Sequence, residues 1–140
     1  MSVQNEYSLV QREPESGVLA ECERRGVAFI PYFPLASGLL TGKYRKDQPV
    51  PQGTRLGDMG RYNRLLTDEN LDLVERLVTF SETRGHTLLE LAFSWLLSRP
   101  TVASVIAGAT RLEQVHANAA AASWTLSDAD LQELDTILPK

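Results

Sequence analysis

Two rhythms alternate along this chain: stretches in which apolar residues recur every three or four positions, and short runs in which nearly every residue is apolar. The first rhythm marks helices with one buried stripe and the second marks buried strands. An extended stretch near residues 2–9 leads to Pro14 and then to a helical pattern with Val18, Leu19 and Cys22 on one face, closed by Gly26. Val27–Phe33 is apolar without strict alternation, the signature of a strand covered on both faces. After a variable loop, Thr67 with Asp68 and Glu69 starts a helix whose stripe is Leu71, Val74, Leu77 and Val78, ending near Gly85. Thr87 and Glu90 form a capping-box pattern for the next helix, with Leu88, Leu91, Ala92, Trp95 and Leu96 inward and Pro100 at its end. Val102–Ala107 predicts another buried strand. Thr110 with Glu113 predicts a capping box for a helix through the alanines at 118–123, and Ser127 caps a last helix bearing Leu131, Leu134 and Ile137.

This order is the βαβ repetition of an α/β fold, a parallel sheet covered by helices. Parallel strands end on the same side, and the loops after those ends are where such folds place ligands. The segments of interest therefore follow Phe33 and Ala107. No repeat of fixed period interrupts the pattern, and 140 residues suit a single domain over 1–140.

Composition narrows the class. With 43% hydrophobic and 23% charged residues and no unbroken apolar run near the ~20 residues of a membrane span, the chain reads as soluble. The opening MSVQNEYSLVQRE lacks the features of a secretory signal, so a cytoplasmic location is expected. Cys22 is the only cysteine, which rules out an internal disulfide and a Cys-rich metal site; it reads as packing on its helix rather than as a nucleophile, and no metal site is expected. A net charge of −4 argues against general nucleic-acid binding. The charge is uneven, however: Lys43, Arg45, Lys46, Arg55, Arg61 and Arg64 against Asp47 and Asp58 give that stretch +4, leaving −8 elsewhere. Such a stretch can attract a small anion or simply be a solvated loop.

The first segment of interest is Ile30-Pro-Tyr-Phe-Pro-Leu-Ala-Ser-Gly-Leu-Leu-Thr-Gly-Lys-Tyr44, where a buried strand runs into a turn with Pro34, Ser37, Gly38 and Gly42. Small residues let a ligand approach backbone N–H groups, Lys43 can face a pyrophosphate and Tyr32 offers a flat aromatic surface. The alternative is a Pro/Gly turn behind a core tyrosine. The second is Ile106-Ala-Gly-Ala-Thr-Arg-Leu-Glu-Gln-Val-His-Ala-Asn118, a strand passing through Gly108 into a capped helix. A helix N-terminus favours an anion and Arg111 adds a planar fork for phosphate, with Gln114 and Asn118 on the same helix. The alternative is an ordinary capped helix with Arg111 in water.

Together these segments and Gln4-Asn-Glu-Tyr-Ser-Leu9 resemble the aldo-keto reductase family, specifically its last three barrel strands and their cofactor loops. The family's Gln-containing sixth strand, its Tyr-x-Pro-Leu seventh strand leading to Gly-Leu-Leu-Thr-Gly-Lys-Tyr, and its eighth strand ending in Gly-Ala-Thr-Arg-x-Glu-Gln are matched in order across nearly the whole chain. The resemblance implies a partial (β/α)8 TIM barrel, about its C-terminal half. It implies NADPH as cofactor, with Gln4 on the nicotinamide carboxamide and Tyr32 stacked on the ring. Leu35, Ser37, Gly38, Leu40 and Lys43 would line the pyrophosphate. Gly108, Thr110, Arg111, Gln114 and Asn118 would hold the adenosine end, Arg111 and Thr110 taking the 2′-phosphate. Phe33 stands where many relatives have serine, which removes one hydroxyl contact.

The family reduces carbonyls with a tyrosine acid assisted by lysine, aspartate and histidine from its first four strands, and nothing here matches them. His86 and His116 read as packing or surface residues, and Tyr7, Tyr44 and Tyr62 lack a catalytic setting, so no catalytic residue is nominated. The resemblance leaves three functional readings. The chain is part of a carbonyl reductase completed by an N-terminal half that acts on a small-molecule carbonyl substrate, a catalytically silent NADPH-binding module, or a protein-interaction subunit. A closed barrel takes about 250 residues, and a part of one exposes a strand edge, so self-association through that edge is expected.

Overall fold

The computed structural model describes residues 1–58 and 64–139. Arg61 and Tyr62, named above, lie outside them. The architecture is α/β, as expected. Strand β1 (Ser2–Glu6) pairs in parallel with β2 (Ala28–Tyr32) in the register Gln4 with Ile30 and Glu6 with Tyr32. Between them runs helix α1 (Val18–Arg25), stopped where Gly26 adopts φ 62°, a left-handed conformation that glycine takes without a Cβ clash. Its N–H then donates to the carbonyls of Cys22 and Glu23, closing the helix end.

The later helices start where their side chains predict. Thr67 accepts from the Asn70 N–H to begin α3 (Asp68–Glu82), after the short α2 (Arg55–Asp58). Thr87 and Glu90 complete both halves of a capping box on α4 (Leu88–Leu97). Ser127 and Asp130 do the same on α6 (Asp128–Ile137). Each cap satisfies N–H groups that have no partner inside the helix.

The core lies between one sheet face and α4. Tyr7, Phe29 and Trp95 are all 0% exposed, with Tyr7 edge-on to Phe29 (5.8 Å, 89°) and tilted against Trp95 (5.0 Å). Helix α4 buries nearly all of its surface because α3, the 36–41 turn and the 121–123 turn pack around it. A charged fringe seals this core. The Tyr7 hydroxyl donates to Glu15 Oε1 at 2.8 Å, Arg12 grips Glu15, and the Arg99 guanidinium lies 4.7 Å from the Trp95 ring centre. Burial, the largest influence, raises the Tyr7 pKa and keeps its proton in place.

One expected element differs. Val102–Ala107 does not form a buried strand: only Val102 is buried, it makes a single parallel bridge to Phe29, and Ile106 is 46% exposed. The ladder starts correctly, with the Phe29 N–H donating to the Thr101 carbonyl and the Ala103 N–H to the Phe29 carbonyl. The next donor should be the N–H of Pro31, which proline lacks. Beyond it the register slips, and the Ile106 N–H, not that of Val105, reaches the Pro31 carbonyl at 3.1 Å. The segment stays extended beside β2 without completing a strand.

Candidate functional site

Because Phe29 pairs in parallel with Val102 and Ile106 bonds to Pro31, the loops after Tyr32 and after Ile106 leave the same end of the sheet. Strand alternation puts Gln4, Glu6, Ile30 and Tyr32 on one face, opposite the face that buries Phe29 and Pro31. Gln4 is exposed and Tyr32 is 38% exposed at the strand's last position. Tyr32 is thus not a core tyrosine.

The turn after Tyr32 holds an unusual backbone. Phe33 (φ 53°), Ala36 (46°) and Ser37 (58°) are left-handed although none is glycine, and Gly38 (99°) and Gly42 (84°) follow. Such residues are uncommon outside glycine and persist where the surroundings over-determine them, often at ligand sites. The carbonyl of Leu35 accepts from both Gly38 and Leu40 N–H groups, and the Thr41 hydroxyl donates to the Gly38 carbonyl at 2.7 Å. Leu39 and Leu40 are fully buried and anchor the turn to the core. Leu40 therefore has no exposed side chain to offer a ligand. A Cβ on Gly38 would lie 3.3 Å from Lys43 Nζ, so the glycine makes room for that ammonium over the turn. Among the described residues Lys43 has no carboxylate partner.

The rest of the basic stretch is differently placed. Arg45 makes a bidentate pair with Glu75 of α3 (2.8 and 2.6 Å), and Lys46 pairs with Asp72. The Arg45 fork is the first cause holding the Glu75 carboxyl at about 2, well below the usual carboxylate range. These cations fasten the loop to α3 and are not free for an external anion.

The second loop also departs from the sequence pattern. Helix α5 (Leu112–Ala120) takes Arg111, not Thr110, as its cap residue, and Glu113 does not close the box. Gln114 folds back instead. Its Oε1 accepts from the Thr110 N–H (2.7 Å), the Thr110 hydroxyl (3.2 Å) and the Arg111 N–H (3.3 Å). One side-chain oxygen thus collects three donors facing the helix N-terminus, which is where an anion would sit. With Arg111 as the cap residue, the position three residues on is Gln114 rather than Glu113. The Arg111 side chain is exposed and has no acidic partner among the described residues. Nothing lies within 4 Å of where a Gly108 Cβ would be, and Asn118 is half-buried. The helix buries no side chain, leaving Leu112 and Val115 68% and 53% exposed.

Two of the groups set aside from chemistry have structural partners. His86 stacks on Trp124 (4.0 Å, 7°) with Nδ1 3.1 Å from Glu90, and the Tyr44 hydroxyl accepts the Leu56 N–H at 3.3 Å. Cys22 is buried on α1, and His116 is exposed. Among the described residues no group of three or more His, Cys, Asp or Glu could hold a metal, and no helix is long and apolar enough to cross a membrane. Two recesses, of about 270 and 220 Å³, lie by Leu56 and between α3 and α6, and neither includes a candidate residue. The candidate site is open surface at the sheet end. Sequence reasoning missed the fringe of Arg12, Glu15 and Arg99, whose only local sign is the Arg12/Glu15 spacing.

Comparison with known proteins bears on this geometry. The sequence profile described as Aldo/keto reductase family matches residues 1–139. An L-glyceraldehyde 3-phosphate reductase of Escherichia coli is 37% identical over 139 residues, covering 94% of this chain and 40% of that protein. An NADH-specific methylglyoxal reductase of the same organism is 35% identical over 130 residues, covering 91% and 39%. The chain therefore spans about two fifths of these relatives. Among solved structures, a glycerol dehydrogenase from Gluconobacter oxydans superposes with a TM-score of 0.79 at 24% identity, over 97% of this chain and 41% of that one, a likeness of fold.

Proposed function

Because the chain belongs to the aldo/keto reductase family, we propose that it forms the cofactor-gripping part of an NADPH-dependent carbonyl reductase, folded as about the C-terminal half of a (β/α)8 barrel. The observation that carries this reading is a pair of cations, Lys43 and Arg111, that have no acidic partner among the described residues and stand on two loops that leave one end of the sheet beside exposed Tyr32.

The donor set suits a dinucleotide phosphate. Lys43 over the Gly38 turn, with Leu35, Ser37 and the Leu40 backbone, serves the pyrophosphate. Arg111 and Thr110 serve the 2′-phosphate, where the Gln114 oxygen already marks the position of an acceptor. Gly108, Gln114 and Asn118 border the adenosine end. Gln4 and Tyr32, on one sheet face, serve the nicotinamide. When bound, the cofactor supplies the hydride. Carbonyl reduction also needs a proton, and Tyr7 and Tyr44 are buried and hydrogen-bonded away from this face. Neither is placed to supply that proton, and in this reading the acid and the carbonyl contacts come from a complementary N-terminal barrel half.

Titration of the full chain with NADPH, and NADH as control, tests this through nicotinamide fluorescence. We expect NADPH to bind more tightly and Arg111→Ala to bring it to the level of NADH. The relative named as NADH-specific supports a second reading, in which the 2′-phosphate is not discriminated. Equal binding of both cofactors, unaffected by Arg111→Ala, would select it. Binding of neither by the folded chain would sink both readings.

A further inference from the structure

Phe33 carries two unfavourable features at once. Its φ of 53° is a conformation that a bulky residue rarely adopts, and the residue is 42% exposed. A turn built only for folding would place glycine or asparagine there, and would not leave an aromatic ring in water. What the conformation achieves is an edge-to-face contact: the Phe33 and Tyr32 rings meet at 5.5 Å and 74°, and each keeps open surface. The Ala36 N–H bonds to the Phe33 carbonyl at 3.0 Å, tying the ring's position to the strained turn.

We infer that Phe33 is a positioning residue for a planar ring docked on Tyr32, fixing the Tyr32 ring through their edge-to-face contact. The inference rests on the proposed cofactor reading and names a residue which that reading does not use. The occupant it fits is a flat, cationic or neutral heteroaromatic ring, here the nicotinamide. Aromatic pairs of this geometry hold each other's orientation, and a Tyr32 already held in place orders less on ligand binding.

The test separates the two ends of the cofactor. The full chain and its Phe33→Gly and Phe33→Tyr variants are titrated with reduced nicotinamide mononucleotide, with adenosine 2′,5′-bisphosphate and with NADPH, and their melting midpoints are recorded. Phe33→Gly should weaken the mononucleotide and NADPH about 2- to 12-fold, the span an aromatic pair contact covers. It should leave the bisphosphate unchanged and the melting midpoint undiminished, because glycine accepts this φ freely. Phe33→Tyr should retain wild-type binding. The inference is overturned if mononucleotide binding is unchanged, or if all three ligands weaken together with a lower melting midpoint, the mark of a purely structural role. A wild-type chain that takes the bisphosphate but not the mononucleotide also overturns it while sparing the adenosine-end reading. Failure to bind any of the three overturns the cofactor reading itself.

Discussion

Replacing Gln114 by alanine removes the one oxygen that accepts from the Thr110 N–H, the Thr110 hydroxyl and the Arg111 N–H. All of these groups are exposed, so water replaces part of what is lost, and the loss resembles that of a helix cap, about 1 kcal/mol. For a chain of this size that corresponds to a melting midpoint lower by about 3–5 °C. Adenosine 2′,5′-bisphosphate changes the comparison. If its phosphate takes the N–H groups that Gln114 now holds, it must displace the side chain in the wild type but finds them free in Gln114→Ala. Thermal melts with and without saturating bisphosphate measure this. The deficit of the variant should shrink by at least half in the ligand's presence. A ligand-free variant that melts with the wild type would show that the cap contributes nothing. A deficit that persists or grows with ligand would show that the phosphate does not use these donors, or that Gln114 holds the ligand directly.

Two other perturbations test the frame around the site. Pro31→Val supplies the missing N–H opposite the Ala103 carbonyl, and should extend the ladder and add about 0.5–1.5 kcal/mol; slowed amide exchange at Val105 would report the corrected register, and continued protection at Ile106 alone would contradict the explanation given for the broken strand. Asp130 is held at about 2, first by the Ser127 hydroxyl and backbone and then by Arg84. Its folded pKa lies below the unfolded value of about 4, so its stabilisation is full above that pH and fades as pH falls toward 2. Asp130→Asn should flatten the acid limb of stability between those values, measured by denaturant titration; an unchanged acid limb would refute the assignment.

The helix starts were legible because each is a local event. Thr67, Thr87 and Ser127 cap N–H groups only three residues away, and Gly26 stops α1 through its own φ. The strand–turn and strand–helix motifs likewise declared the parallel α/β order and the two loops of the candidate site. Lys43 and Arg111 were legible as charges, but that they have no acidic partner among the described residues while Arg45 and Lys46 bind Glu75 and Asp72 depends on where α3 lies, some thirty residues away in sequence. The third strand failed for a similar reason. Val102–Ala107 has strand composition, yet a ladder needs a donor on the neighbouring chain segment, and only the pairing of Phe29 with Val102 brings Pro31 opposite it. The cap on α5 passed from Thr110 and Glu113 to Arg111 and Gln114 because the backbone enters that helix one residue later than the motif suggests. Local sequence determined which groups seek partners; the tertiary arrangement decided which of them found one, because a partner's distance is set by the packing of the whole chain.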